Sequence, residues 1–182
     1  MSLEPKEFRE VVGLYATGVT IIVAEVHGQV HAMTANSVTS VSLDPLLMLF
    51  CPSRKARIAQ DLPGLTRFTI NILRQDQQAL STYFAGGWKD SALPPFRFVE
   101  SMAGPRLEGA LASIGCRTRS ITEAGDHYVI LGEVICMHKG ITPHQPLLFV
   151  SGKYRRVDFS EGVAAPDLAD VEDEPPHIFY HH

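Results

Sequence analysis

The chain has 182 residues, 45% of them hydrophobic, with three cysteines and a net charge of −4. That profile fits one domain of the usual size, roughly 100 to 200 residues, and a core that needs neither disulfide nor metal. No run approaches the ~18 apolar residues of a membrane span, and neither MSLEPKEFRE at the start nor the spacing of Cys51, Cys116 and Cys136 suggests secretion, so a soluble cytoplasmic protein without membrane attachment is expected.

The elements follow in chain order. Residues 4–15 place Phe8, Val11, Val12 and Tyr15 at helical spacing, with Glu4 and Glu7 early, and predict a short helix. Gly18 opens GVTIIVAEV, a β-branched strand, and VHGQVH reads as a hairpin turn into a second one. Further strands are expected at 45–51, 67–73, 113–122, 127–138 and 146–151, while KARIAQDL and QDQQALSTYFA have helical character. Between Phe84 and Gly109 the chain is rich in Gly and Pro, a long excursion of the kind that is usually functional or poorly ordered. Strands with few, unevenly placed helices predict a mainly β protein: a closed or nearly closed barrel with helices attached.

Charge divides the chain. Residues 158–182 hold seven acids and no Lys or Arg, which leaves 13 acids against 16 bases in residues 1–157. Residues 1–157 are therefore read as the folded domain and 158–182 as an acidic tail. So weak a positive balance, with no concentrated Lys and Arg stripe, argues against nucleic-acid binding.

Several chemistries lack their motifs. Gly13 and Gly18 have phosphate-loop spacing, but Val19-Thr20 stands where Lys-Ser/Thr should, and no G-x-G-x-x-G, G-x-S-x-G or H-E-x-x-H occurs. Cys51 reads first as a small apolar residue at a strand end. His177, His181 and His182 cluster at the C-terminal end without a coordination pattern, so no metal is expected.

Three stretches point to a ligand. Thr34, Asn36, Ser37, Thr39, Ser40 and Ser42 concentrate small neutral hydrogen-bonding groups ahead of the LLMLF strand, either as a polar turn or as a site for a polar ring. After that strand, Ser53 can cap the helix that KARIAQDL begins, with Arg54 and Lys55 in its first turn, where cations are disfavoured unless an anion is present. Free N–H groups and two cations there suggest either a phosphate site or a solvated basic turn. Asp126 and His127 open the GDHYVILGEV strand, where a His is either structural or placed to hold a second, redox-active ligand.

Taken together, FREVVGLYATGVTIIVA, TANSVTSVSLDP, FTINIL with QQALSTYFA, GALASIGC and EAGDHYVILGEV resemble, in order and spacing, the flavin reductase family, whose members serve two-component flavin-dependent monooxygenases. The resemblance runs from about Phe8 to Tyr154. It implies the FMN-binding split barrel, a homodimer with flavin near the subunit interface, FMN or possibly FAD as flavin, NADH or NADPH as co-substrate, and a partner monooxygenase. On the same ground Thr34, Asn36 and Ser37 would meet the isoalloxazine edge, Ser40 and Ser42 the ribityl chain or neighbouring backbone, and Ser53 and Lys55 the phosphate, with Cys51 and Phe84 also on the cofactor side. His127, Gly152 and Tyr154 would line the nicotinamide side, His127 being the residue with a catalytic role. Two other readings stay open on the same barrel: a protein that retains FMN and passes electrons, and a flavin binder that does not oxidise NAD(P)H.

Overall fold

The computed structural model describes residues 3–140 and 145–157. The acidic tail, its histidines and its aromatic residues lie outside them. The described elements are helices α1 (Pro5–Val12) and α2 (Gln78–Phe84) and strands β1 (Thr17–Gly18), β2 (Thr20–Val26), β3 (Gln29–Ala35), β4 (Val38–Leu43), β5 (Leu46–Phe50), β6 (Arg67–Ile72), β7 (Phe98–Val99), β8 (Arg106–Leu107), β9 (Ala112–Ala124), β10 (His127–Lys139), β11 (Leu148–Val150) and β12 (Lys153–Arg155).

Seven strands form the main sheet in the order β3-β2-β6-β9-β10-β5-β4, antiparallel throughout. One apolar cluster draws on all seven, from Ile22 of β2, Met33 of β3 and Val38 of β4 through Phe50 and Phe68 to Cys116 and Ile130. A single cluster fed by every strand requires the sheet to curl around it, so the two end strands, β3 and β4, joined by only Asn36 and Ser37, complete the split barrel. Gly132 on β10 permits close packing across the barrel core, because a Cβ there would lie 2.5 Å from Cζ of Phe68.

A second cluster lies outside the barrel wall. Val19, Ile21 and Val23 point away from the barrel core and pack with Leu73, Leu80, Leu107 and Leu147. Strand β2 is thus buried on both faces, which explains why GVTIIVAEV reads as a continuous apolar run instead of an alternation. The covering layer is α2, the small β7–β8 hairpin within the Gly/Pro-rich excursion, and the β1-β11-β12 sheet. The VHGQVH turn forms as expected: His27 and Gly28 both take positive φ, 51° and 75°, as a tight two-residue hairpin demands.

Three sequence expectations change. The N-terminal helix ends at Val12, and Phe8, Val11, Val12 and Tyr15 are all exposed, so its apolar stripe has no partner among the described residues. KARIAQDL yields only a three-residue 3₁₀ turn, Arg57–Ala59. The segment is bounded by Pro52 and by Pro63-Gly64, too short to repay helix nucleation. Residues 34–42 are mostly strand, the end of β3 and all but the last residue of β4, with Asn36 and Ser37 alone forming the link. All three cysteines are free thiols, and among the described residues no helix is long and apolar enough to cross a membrane and no group of His, Cys, Asp and Glu could hold a metal ion.

Candidate functional site

Barrel closure brings together residues far apart in sequence. Where β5 ends, the Cys51 N–H donates to the Ser37 carbonyl at 3.1 Å, and the Ser37 hydroxyl donates back to the Cys51 carbonyl at 3.0 Å. The β3–β4 link is thereby stapled to the end of β5. Two residues on, Ser53 bridges His127 at the start of β10, fixed by Tyr128 N–H to the Pro52 carbonyl and Arg54 N–H to the Asp126 carbonyl, each 3.0 Å. Ser37, Cys51, Ser53 and His127 therefore share one rim of the barrel.

This geometry corrects the helix-cap argument for a phosphate. Ser53 accepts from the Lys55 N–H at 3.3 Å, but no α-helix follows it, and the Arg54 N–H is already bonded. The Arg54 guanidinium contacts Glu123 at 3.4 Å and lies over the Tyr128 ring. Lys55 is exposed, with no side-chain partner among the described residues, so it is the cation of that pair left available to an anion.

His127 is held and yet accessible. Its Nδ1 lies 2.8 Å from Oδ1 of Asp126, and its side chain is 44% exposed. That hydrogen bond, then the charge of His127 and a smaller pull from Arg9, keep the Asp126 carboxyl below the usual carboxylate range. An ionised Asp126 fixes the imidazole orientation while Nε2 has no protein partner among the described residues. Burial pushes the Cys51 thiol up from its ordinary value, so at neutral pH it is a neutral, half-buried packing group and a poor nucleophile.

A cavity of about 730 Å³ opens along β3, with Thr34 and Arg57 among its lining residues. One wall is aromatic: Tyr83, Phe84, Phe96 and Phe98 contact one another with ring centroids 4.9 to 6.1 Å apart. The Thr34 hydroxyl donates to the Ser81 carbonyl at 2.7 Å, so toward a ligand it can only accept. Asn36 is exposed, its amide donating weakly to Thr17 at 3.3 Å.

The other expected residues lie apart from this cavity. Ser40 and Ser42 flank the irregularity in the β4–β5 pairing, where Ser42 accepts from the Asp44 N–H. Gly152, with φ of 72°, turns β11 into β12, and the Tyr154 hydroxyl hydrogen-bonds Ser81 at 2.9 Å while its ring packs on Phe149. Among the described residues no recorded bond joins Gly152 or Tyr154 to His127. Of the aromatic wall, sequence reasoning names Phe84, which lines the cavity, but not Tyr83, Phe96 or Phe98, and it misses Arg57. The Pro-Pro-Phe-Arg-Phe string inside the excursion was the available signal, since two Phe residues in an irregular segment must find a surface to cover.

A flavin fits these features. Neutral hydrogen-bonding groups at the β3–β4 link suit the polar edge of a ring, the available Lys55 suits a phosphate, and a cavity with one aromatic wall suits a planar ligand.

Comparison with known proteins agrees. Residues 12–158 match the family described as flavin reductase like domain. The chain is 34% identical to the flavin-dependent monooxygenase reductase subunit HsaB of Rhodococcus jostii, over 94% of this chain and 87% of that one. It is also 34% identical to an NADH-dependent FAD reductase of Streptomyces globisporus, over 90% and 94% of the two chains. Among solved structures, the flavin reductase PheA2 in its native state superposes with a TM-score of 0.79 at 40% identity, covering 86% of this chain and 99% of that one.

Proposed function

The chain belongs to the flavin reductase like family, and from that premise we propose that it is an NAD(P)H:flavin oxidoreductase that reduces FMN or FAD and supplies reduced flavin to a partner flavin-dependent monooxygenase. The observation that carries this reading is the rim that joins Ser37, Cys51, Ser53 and His127, together with the β3 cavity. Bound flavin and nicotinamide supply the chemistry, hydride transfer between two rings, for which the protein need furnish no acid or base at the reacting carbon.

The protein's part is position. Asn36 and Ser37 present neutral polar groups to the ring edge, and Lys55 offers its charge to the phosphate. His127, aimed by Asp126, holds the dinucleotide over the exposed ring face. Protein stripped of flavin should consume NADH only when FMN or FAD is added, at a rate proportional to enzyme. Oxidation that ignored added flavin would remove the assignment.

The same reading includes a homodimer. Helix α1 buries none of its residues, and its Phe8, Val11 and Val12 stand exposed, as do Val41, Leu43 and Leu46 where β4 turns into β5. Apolar groups concentrated in this way mark association surfaces, and an amphipathic helix without a partner among the described residues fits a place in a subunit interface. Size-exclusion chromatography with light scattering should give twice the chain mass of 20.0 kDa, and Phe8→Asp with Val11→Asp should shift the peak toward monomer. A monomeric wild-type protein would contradict this part of the reading.

A further inference from the structure

We propose that the outer wall of the barrel, over β6, β9 and β10, is a docking surface for the chain's own acidic segment, residues 158–182. The inference stands apart from the flavin reductase reading, since neither this surface nor its test involves the rim or the β3 cavity.

Strand register fixes what this wall presents. Phe68, Ile70, Ile114 and Cys116 turn into the barrel core, so the residues alternating with them on β6 and β9 face outward. Arg67 therefore stands directly across from Arg117, and Arg117 across from Glu133 of β10, with Thr69, Gly115 and Cys136 as the next row. A turn at residues 101–104 lies on this wall, because a Cβ on Gly115 would fall 2.6 Å from Cβ of Ala103. Between that turn and the sheet opens a second cavity, of about 200 Å³, with Met102, Arg106, Cys136, Met137 and His138 among its lining residues.

Charge is the first argument. Two arginines facing each other across a ladder repel unless an anion lies between them, and among the described residues no carboxylate fills that place. The Arg67 guanidinium donates to the Met102 carbonyl at 3.1 Å, while the exposed Arg117 side chain makes no hydrogen bond or ion pair there. Glu133 is drawn to Arg119 at 3.5 Å, and both oxygens of Glu108, which feels the charge of Arg106, are held by Arg97. Arg54, Arg74, Arg97 and Arg119 are thus in ion pairs, and Arg67, Arg106 and Arg117 are not. The segment 158–182 brings the complement, seven acids and no Lys or Arg. Guanidinium groups fork onto carboxylates in charge-assisted pairs.

The apolar groups beside these cations supply the second argument. Met102 on the turn and Met137 on β10 both line the cavity, yet they are 66% and 71% exposed. Thioether sulfur makes favourable contacts with aromatic rings, and the acidic segment carries Phe159, Phe179 and Tyr180 besides its carboxylates. An occupant with both acids and rings matches a cleft with both arginines and exposed methionines. Reach does not restrict the match, since the 25 residues that follow Val157 can span about 80 Å at ~3.3 Å each.

Cys136, a free and half-buried thiol in the cavity wall, reports whether the surface is covered. Its alkylation by neutral iodoacetamide, followed in the full chain by mass spectrometry, tests the proposal. Neutralising five acids of the segment (Asp167→Asn, Asp170→Asn, Glu172→Gln, Asp173→Asn and Glu174→Gln) should speed the reaction about tenfold at low salt, as expected for a segment docked about nine-tenths of the time. Arg106→Glu with Arg117→Glu should do the same, and so should 1 M NaCl on the wild type, where the Debye length is about 3 Å. Buried Cys116 should stay unreactive throughout, which separates release of the segment from unfolding. Changing the same five acids to lysine in the Arg106→Glu, Arg117→Glu chain should restore slow alkylation. A Cys136 rate that neither the neutralised acids nor salt changes would overturn the proposal. So would release by Arg155→Glu with Arg156→Glu while the Arg106→Glu, Arg117→Glu chain stayed protected, since the segment would then rest beside its own root.

Discussion

Replacing Asn71 by alanine should lower the unfolding free energy by about 3 to 5 kcal/mol, a value that follows from what the side chain leaves behind. Asn71 is fully buried on β6. Its amide nitrogen donates to the Ile21 carbonyl of β2 at 2.9 Å and to the Thr69 hydroxyl at 3.1 Å, and its Oδ1 accepts from the Leu107 N–H of β8 at 2.9 Å and the Ser113 hydroxyl of β9 at 2.8 Å. One amide thus ties β6 to both lateral neighbours and to the hairpin above. Its loss leaves a buried backbone N–H and a buried hydroxyl without partners, each costing about 1 to 3 kcal/mol, and the costs are not strictly additive. Asn71→Leu separates the causes, because it restores volume but no hydrogen bonds and should recover only a small part of the loss. Urea unfolding followed by circular dichroism reads both. A shift below about 1 kcal/mol for Asn71→Ala would mean that other groups or waters satisfy the site.

Replacing His127 by alanine should lower kcat/KM for NADH by about 10- to 100-fold, on the order of 1.4 to 2.7 kcal/mol of transition-state stabilisation, with FMN affinity changed less than threefold. The imidazole is tied to Asp126 at 2.8 Å and stands across the bridge from Ser53. Under the proposed function, deleting it removes a positioning group for the nicotinamide, while the bridge itself, which is backbone, persists. Hydride transfer needs the two rings at near-attack distance, about 3 to 3.5 Å, so a misplaced dinucleotide loses rate steeply. A structural His makes the opposite forecast: flavin affinity and thermal stability would fall together. Asp126→Asn adds a second readout, since it keeps a side chain of similar shape but removes the charge that aims the ring, and a positioning role requires a partial loss there too.

Most of the barrel was legible because its strands are long and apolar on at least one face. GVTIIVAEV, RFTINIL and the two long segments at 113–122 and 127–138 carry enough β-branched and alternating residues to outweigh local ambiguity. Strand β4 was hidden because its Thr and Ser residues, legitimate on an edge strand with an exposed face, have the composition of a turn. KARIAQDL misled in the other direction: its helical composition is real, but Pro and Gly nearby and the Ser53 bridge to His127 dictate a compact turn. The site was half visible. The family resemblance names Ser37, Cys51, Ser53 and His127, and strand pairing is what joins Ser37 to Cys51 and Ser53 to His127. Arg57 and Phe96 are not legible, because their place beside β3 depends on how the Arg57–Ala59 turn packs and how the excursion from Phe84 to Gly109 folds back, which no local pattern encodes.

The most direct test of the central claim is an anaerobic reaction of the flavin-loaded protein with NADH or NADPH, followed in the visible flavin band. Hydride transfer predicts that the band bleaches within the time of one steady-state turnover, that deuterium at nicotinamide C4 slows the bleaching, and that added oxidised flavin is then reduced in many equivalents per protein. Bleaching of a single equivalent that excess flavin could not follow would make the chain an electron carrier that retains its flavin. A band unchanged by both NADH and NADPH would contradict the assignment as a reductase.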